Sequence, residues 1–362
     1  MSAPVVLIMA GGTGGHVFPA LALARILRAR SWQVVWLGSR RGIEARLVPA
    51  EGIPIEWLTI GGLRGKGVLT LLWAPFRLAR ALFEAIAIVR RHRPDVVVGL
   101  GGFVSGPGGV AAWLLGRPLV IHEQNAVAGF TNRCLAVMAR RVLAAFPQAF
   151  ASHVGAEVTG NPVRAEIAAL PPPPARFATR RGAIRVLVIG GSQGALKLNN
   201  VVPRALALVS REASLEVRHQ SGERWFAQAE HCYRELAVPA SVTPFIDDMA
   251  EAYAWADLVV CRAGALTVSE LAAAGVAAVF IPFAAAVDDH QTHNAQWLVN
   301  EGAACMISEA ELTAERLASE LMPLCQGRGR LLAMAERARL MARPQATEAL
   351  ADACESCVRE AA

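Results

Sequence analysis

A glycine-rich turn between a strand and a helix occurs twice in this chain, and it restricts the fold more than any other feature. Val5 to Ala10 is a β-branched-rich run that enters Gly11-Gly12-Thr13-Gly14-Gly15, and a helical pattern follows over Phe18 to Arg30. Ile184 to Ile189 repeats the arrangement ahead of Gly190-Gly191-Ser192-Gln193-Gly194. A strand feeding a helix in this way is half of a βαβ unit, and such units build parallel sheets with right-handed crossovers. Gln33 to Leu37, Asp95 to Leu100, Pro118 to His122 and Arg141 to Ala145 read as further strands of the first half, with Gly67 to Arg93 as a helix between them. Asp257 to Cys261 and Ala277 to Ile281 read as buried strands of the second. At 362 residues the chain exceeds one ordinary core of about 150 residues. The pattern predicts an α/β protein of two Rossmann-like, doubly wound parallel-sheet domains separated by a cleft. Pro171 to Pro174, after Gly160-Asn161-Pro162-Val163-Arg164, read as turn or linker.

Charge and cysteine usage narrow the function classes. A formal net charge of +6 favours an anionic partner, whether phosphate, nucleic acid or membrane surface. Seven cysteines, odd in number and scattered, argue against a secreted disulfide framework and for a reducing cytosol. Cys354 and Cys357 form a C-x-x-C without the second pair that a zinc site needs. The apolar start has no basic residue before Arg25, unlike a secretory signal. The uncharged run from Leu271 to Val287 holds Gly275 and Pro282, so a helix end running into a buried strand explains it better than a membrane span. No nucleic-acid module or stacking signature accompanies the basic charge.

Glycine turns of this kind bring backbone N–H groups and the positive end of a helix against an anion. Two of them point to phosphate binding, although each alone serves equally well as a tight turn. Neither spells G-x-G-x-x-G, and no acid ends the second strand to hold a ribose. Ser39-Arg40-Arg41 stands there instead and keeps an NADP-dependent oxidoreductase open as an alternative.

Gly11 to His16, Gly101-Gly102-Phe103-Val104-Ser105-Gly106-Pro107, His122-Glu123-Gln124-Asn125, Gly160 to Arg164, Gly190 to Gly194 and Cys261-Arg262-Ala263-Gly264-Ala265-Leu266-Thr267-Val268-Ser269-Glu270 follow one another in order. Together they resemble the MurG family, UDP-N-acetylglucosamine transferases of peptidoglycan lipid-intermediate synthesis. The resemblance spans almost the whole chain. It implies a GT-B fold with an acceptor- and membrane-binding domain over 1–163, a donor domain over 164–345, and a last helix, about 346–362, packed back on the first domain. It implies transfer of N-acetylglucosamine from its UDP donor to undecaprenyl-diphosphate-linked N-acetylmuramoyl-pentapeptide, with inversion. A UDP-sugar epimerase of similar fold is the second alternative, and a catalytically silent membrane scaffold a third.

The resemblance also distributes roles. Arg164, Ser192 and the helix start at Ala265, Leu266, Thr267, Val268 and Ser269 would hold the donor diphosphate, Glu270 the ribose hydroxyls, Ile246 the uracil, and Gln291 and Asn125 the sugar. Thr13, Gly14 and Gly15 are counted with the donor contacts, while the turn they form, with His16, would meet the acceptor diphosphate and hydroxyl. Phe103 and His290 stand where the family often has Tyr and Gln, which puts a phenolic or amide contact there in doubt. Deprotonating the acceptor needs a base; His16 leads, because imidazole titrates near neutrality, and Glu123 is its rival. No Asp-x-Asp pair of the metal-dependent type is present, Asp247-Asp248 reads as a helix cap, and His290 with His293 as helical spacing, so no obligatory metal cofactor is expected.

One stretch points to a lipid surface. Leu69, Leu71, Leu72, Trp73, Phe76, Leu78, Leu82, Phe83, Ile86 and Ile88 lie among Arg64, Lys66, Arg77, Arg80, Arg90, Arg91 and Arg93, with Glu84 as the single acid. An apolar face edged by cations suits an interfacial helix on anionic lipid. Peripheral attachment to the cytoplasmic face of a bacterial inner membrane is therefore expected. By the resemblance, other cell-wall synthesis and division proteins join the substrates as partners, and nucleic acid does not.

Overall fold

The computed structural model describes residues 3–40, 42–60, 73–191, 194–284 and 289–360. The chain divides into two compact units: Met1–Arg164 with Arg343–Ala362, and Ala165–Ala342.

The first unit carries strands β1 (Val5–Met9), β2 (Gln33–Gly38), β3 (Ile55–Trp57), β4 (Val96–Gly99), β5 (Leu119–Glu123), β6 (Arg141–Ala144) and β7 (Glu157–Val158), in the order β3-β2-β1-β4-β5-β6-β7. Its helices include α1 (Gly14–Ala29), α2 (Glu44–Ala50), α3 (Ala74–His92), α4 (Ser105–Leu114) and α5 (Phe130–Ala136). All six pairings are parallel. Such a sheet is covered on both faces, which is why β1 and β4 are apolar at every position rather than alternating. Val6, Ile8, Val96 and Val98 belong to a core with Leu23 and Leu27 of α1, whereas Leu7, Met9 and Val97 join Ala85, Ile88 and Val89 of α3.

The second unit carries β8 (Ile184–Ile189), β9 (Leu215–Gln220), β10 (Ala240–Thr243), β11 (Leu258–Cys261), β12 (Ala277–Phe280) and β13 (Ala304–Met306), ordered β10-β9-β8-β11-β12-β13 and again parallel. That is the strand order of a dinucleotide-binding fold, reversing direction beside the central strand. Helices α6 (Pro173–Ala178), α7 (Leu196–Val209), α8 (Met249–Trp255), α9 (Ala265–Ala274) and α10 (His290–Asn300) belong to this unit.

The proline run departs from its expected role. Pro173 and Pro174 occupy the first two positions of α6, where a missing N–H costs nothing and a fixed φ is suited to the helix. Arg176 of this helix is buried, and its guanidinium donates to the carbonyls of Tyr253, Ala274 and Gly275. The run is thus an anchored element of the second unit, not a linker. The apolar stretch from Leu271 resolves, as expected, into the end of α9 followed by β12; residues 285–287 lie outside the described residues. Among the described residues no helix is long and apolar enough to cross a membrane.

The last helix, α11 (Ala346–Arg359), packs on the first unit. Leu350, Ala351, Cys354 and Cys357 are fully buried in the same core as α1. Arg30 pairs with Asp352 at 2.6 Å and Glu355 at 3.1 Å, and Arg140 and Arg141 both reach Glu360. Burial pushes both thiols of the C-x-x-C upward, away from the thiolate that metal binding or redox exchange needs.

Helix α3 begins at Ala74, later than the helical pattern starting at Gly67; residues 61–72, including Arg64, Lys66, Leu69, Leu71 and Leu72, lie outside the described residues. Ala81, Ala85, Ile88 and Val89 turn inward. Trp73, Phe76 and Phe83 are 60%, 68% and 72% exposed, with Arg77 and Arg80 beside them in sequence and also exposed. The apolar residues of this stretch therefore serve two faces, a core face and an outer one.

Candidate active site

In the first unit, Met9 of β1 lies beside Gly99 of β4 in register, so the turns after these strands leave the same edge of the sheet, one on each side of the point where strand order reverses. Ligands of open α/β sheets bind at such points. Gly102 has φ +84°, and a Cβ there would lie 2.4 Å from the carbonyl oxygen of Gly11. Two glycine turns can pack backbone to backbone here only because neither carries a side chain at the contact. Next to it, a Cβ on Gly101 would fall 2.7 Å from Cε1 and Nδ1 of His16, so the imidazole lies against bare main chain.

His16 is the third residue of α1 and is half-buried. Its Nδ1 lies 3.0 Å from Oε1 of Gln124. Gln124 and His122 are buried at the end of β5, where Gln124 Nε2 lies 3.2 Å from His122 Nδ1. Burial holds His122 below the usual imidazole range, hence neutral.

Glu123 is differently committed. It is buried, and its Oε1 accepts from the Asn125 backbone N–H at 2.9 Å and the Asn125 side chain at 3.1 Å. Its Oε2 accepts from the Gly129 N–H at 3.1 Å and Asn132 Nδ2 at 2.8 Å. This carboxylate organises the loop after β5. Asn125 lies in that loop, with its amide NH2 turned to Glu123. Arg164 is the last residue of the first unit, its guanidinium 5.9 Å from the centre of the Phe18 ring. Phe103 is exposed. Thr13 caps α1 with extended backbone and without a side-chain hydrogen bond, so Gly14 and Gly15 open the helix.

In the second unit Ile189 of β8 pairs with Cys261 of β11, and again both following turns lie at the reversal of strand order. Ser192 and Gln193 are outside the described residues. Gly264 caps α9 with extended backbone and no side chain on the first-turn amides, the end of the helix that attracts anions. Ala265 and Val268 are buried, while Leu266, Thr267 and Ser269 are half-buried, and the Ser269 hydroxyl donates to the Ala265 carbonyl at 3.0 Å. Glu270 is not a solvated helix charge: it is buried and accepts from the Tyr253 hydroxyl at 3.2 Å. Ile246, half-buried, lies in the segment between β10 and α8, which Asp248 caps by accepting from the Glu251 N–H at 2.9 Å. Gln291 accepts from the Phe283 N–H at 3.0 Å through Oε1. His293 is exposed, and among the described residues no group of three or more His, Cys, Asp or Glu is arranged to hold a metal ion.

Residues 6–144 match the model of the glycosyltransferase family 28 N-terminal domain, and residues 185–352 that of the family's C-terminal domain. The chain belongs to glycosyltransferase family 28. Among its relatives, a protein of Marinobacter nauticus (strain ATCC 700491 / DSM 11845 / VT8) is 56% identical over 348 residues, 96% of each chain. One of Cupriavidus metallidurans (strain ATCC 43123 / DSM 2839 / NBRC 102507 / CH34) is 54% identical over 354 residues, 98% of each. Both are named UDP-N-acetylglucosamine--N-acetylmuramyl-(pentapeptide) pyrophosphoryl-undecaprenol N-acetylglucosamine transferase. The crystal structure of Acinetobacter baumannii MurG is 42% identical and superposes with a TM-score of 0.86, covering 98% of this chain and 99% of that one. A putative UDP-N-acetylglucosamine 2-epimerase from Listeria monocytogenes shares the fold at 14% identity and a TM-score of 0.64. The family 28 chain thus has the two-unit GT-B architecture.

Two residues outside the quoted motifs, and one inside them, brace this family 28 site. Glu44 is fully buried in α2, and its carboxylate accepts from the Gly12 N–H at 2.9 Å and from the Ser39 N–H and hydroxyl at 3.0 and 2.8 Å. It ties the first glycine turn to the end of β2. Gln220 does the equivalent work from the end of β9, accepting from the Gly191 N–H and donating to the Gly191 carbonyl, both at 3.0 Å. Arg262, though inside the motif before α9, pairs with Glu309 at 2.5 Å and donates to the carbonyls of Ile281 and Pro282. A Glu shortly beyond the apolar run of β2 and a Gln closing β9 are the faint sequence signals that such straps leave.

Proposed function

We propose that this protein transfers N-acetylglucosamine from UDP-N-acetylglucosamine to the muramoyl sugar of undecaprenyl-diphosphate-linked N-acetylmuramoyl-pentapeptide, converting lipid I to lipid II in peptidoglycan synthesis. Identity of 53–56% over nearly the full length to proteins of that one name carries this reading. The epimerase likeness is one of fold, and nothing at Ser39 or Arg40 recommends a nicotinamide cofactor: Ser39 is spent on Glu44, and Arg40 sits over the Trp57 ring at 5.3 Å.

The site residues divide the chemistry between the units. His16 takes the proton of the acceptor hydroxyl, whose oxygen attacks the anomeric carbon as the bond to the UDP oxygen breaks, inverting that centre. Glu123 cannot share this task, because its oxygens already accept from four donors. The amides opening α9, with Ser192 and Arg164, neutralise the departing diphosphate. Glu270 accepts from the ribose, Ile246 offers backbone groups to uracil, and Gln291 uses its remaining NH2 on the sugar, where Asn125 also binds. Thr13, Gly14 and Gly15 receive phosphate at the first turn. Transfer needs no divalent metal in this scheme. With labelled donor and a short-chain lipid acceptor, label should pass to the lipid at the same rate in excess EDTA as in Mg2+. Release of free sugar without lipid labelling refutes the transfer, and loss of rate in EDTA refutes the metal-free scheme.

The exposed aromatic and basic residues on the outer face of α3 support a peripheral attachment to the cytoplasmic face of the bacterial inner membrane, where the acceptor and other wall-synthesis proteins would be met. Exposed Trp73, Phe76 and Phe83 enter the headgroup layer while Arg77 and Arg80 meet anionic lipid. Each cation near such a surface contributes about 1 kcal/mol. Phe76→Ser combined with Phe83→Ser should abolish flotation with vesicles containing anionic lipid and leave turnover of a water-soluble acceptor analogue within about twofold, since neither ring belongs to the buried core. Undiminished flotation of the double variant refutes this assignment.

A further inference from the structure

Behind His16 lies a chain of hydrogen bonds whose polarity is fixed from one end. It begins at the carbonyl of Gly160, which can only accept, and which lies 2.8 Å from Nε2 of His122. His122 therefore carries its proton on Nε2, and its Nδ1 presents a lone pair. That lone pair faces Gln124 at 3.2 Å. The Gln124 amide is oriented a second time by the His122 carbonyl, another pure acceptor, 3.2 Å from Nε2. Turning the amide over would set its oxygen against that carbonyl and require a second proton on an imidazole that burial keeps neutral. So the NH2 group points inward and Oε1 points to His16 Nδ1, 3.0 Å away. The scaffold of the chain is itself pinned: Asn161 Nδ2 donates to the Gln124 carbonyl at 3.0 Å, and Asn132 Nδ2 reaches the His122 carbonyl at 3.3 Å.

We propose that Gln124 and His122 are positioning residues which hold His16 in the Nδ1–H tautomer, leaving the lone pair on Nε2. Among the described residues Nε2 has no hydrogen-bond partner, so it is the nitrogen available to a substrate hydroxyl. This inference rests on the reading of His16 as the base and extends it: the His122-Glu123-Gln124-Asn125 and Gly160-Asn161 motifs act on the proton through the base rather than on the sugar alone. Fixing the tautomer matters greatly elsewhere; a protease triad with the wrong tautomer of its histidine loses about 10⁴ in kcat.

The test is direct observation of the tautomer in ¹⁵N-histidine-labelled full-length protein, without ligand. Among the eight histidines, the His16 signals are those missing from His16→Gln. The expected wild-type pattern at a pH where the ring is neutral is a protonated Nδ1 and an unprotonated Nε2. Gln124→Met, close in shape but without the acceptor, should lose that pattern and lower kcat by about 10- to 100-fold, with KM for both substrates within about twofold. Gln124→Glu, protonated on the oxygen that faces the His122 carbonyl and Nδ1, keeps an acceptor oxygen towards His16 and should retain the pattern and kcat within about fivefold. A wild-type His16 protonated on Nε2, or an unchanged pattern in Gln124→Met, overturns the relay. Should the Met variant fold poorly, the wild-type spectrum and the Glu variant decide. The two readings fail separately: wild-type protein that shows the Nδ1–H pattern but transfers no sugar refutes the transferase reading alone, and one that transfers with Nε2–H refutes the relay alone.

Discussion

His16→Ala is expected to lower kcat by about 10²–10⁴-fold, the usual contribution of a positioned general base, while KM for the nucleotide donor stays within about twofold. The side chain is half-buried, makes one side-chain hydrogen bond and lies over Gly101, so its removal leaves the fold of the turn to Glu44 and the Gly11–Gly102 contact. Glu123→Gln should behave in the opposite way. A glutamine must turn its NH2 towards one of two pairs of donors, either Asn125 or Gly129 with Asn132. Donor facing donor in a buried site costs about 2–4 kcal/mol and lowers the melting temperature. Paired measurements of kcat and Tm separate the two cases. Near-normal turnover in His16→Ala, or a collapse of kcat at unchanged Tm in Glu123→Gln, reverses the assignment.

Gly102→Ala should be the most damaging small change in the first unit. The new methyl would require a positive φ of an L residue, at about 1–3 kcal/mol, and would meet the Gly11 carbonyl at 2.4 Å, where neither partner is a movable side chain. Pushing the two turns apart adds about 1–3 kcal/mol and displaces His16 with them. We expect about 3–5 kcal/mol of lost stability, and turnover reduced by at least about 100-fold even where the protein is folded, since a shift of about 1 Å in a catalytic group has that effect. Gly12→Ala is the control. Its φ is +93°, but nothing stands within 4 Å of the added carbon, so only the backbone penalty of about 1–2 kcal/mol applies. Equal losses in the two variants would show that conformation alone, and not the backbone contact, fixes the turn.

The parts of the fold that could be read from the residues are those buried on both faces. β1, β4, β11 and β12 are apolar from end to end and β8 everywhere but Arg185, and their expected bounds agree with the observed ones to within a residue at each end. β9 escaped because Glu216, Arg218, His219 and Gln220 break its pattern; His219 and Gln220 are buried, but through hydrogen bonds to Asn199, Tyr233 and the Gly191 turn that no local window contains. β3, β7 and β13, two or three residues each at or near sheet edges, leave too little period to see. At the site, His16 and Glu270 were legible because they adjoin glycine turns or helix starts. Glu44, Gln220 and the orientation of Gln124 were not, since each acts on a turn or ring 29 to 108 positions away.

The return of α11 to the first sheet has a consequence for synthesis. The second unit is one continuous stretch, so all of it has left the ribosome before residues 346–359 can close the hydrophobic face beside α1. A nascent chain therefore passes through a stage in which one unit is finished while the other still shows Leu23, Leu27 and Val98 to solvent or chaperone. Shortening the polypeptide at residue 345 would make that exposed stage permanent.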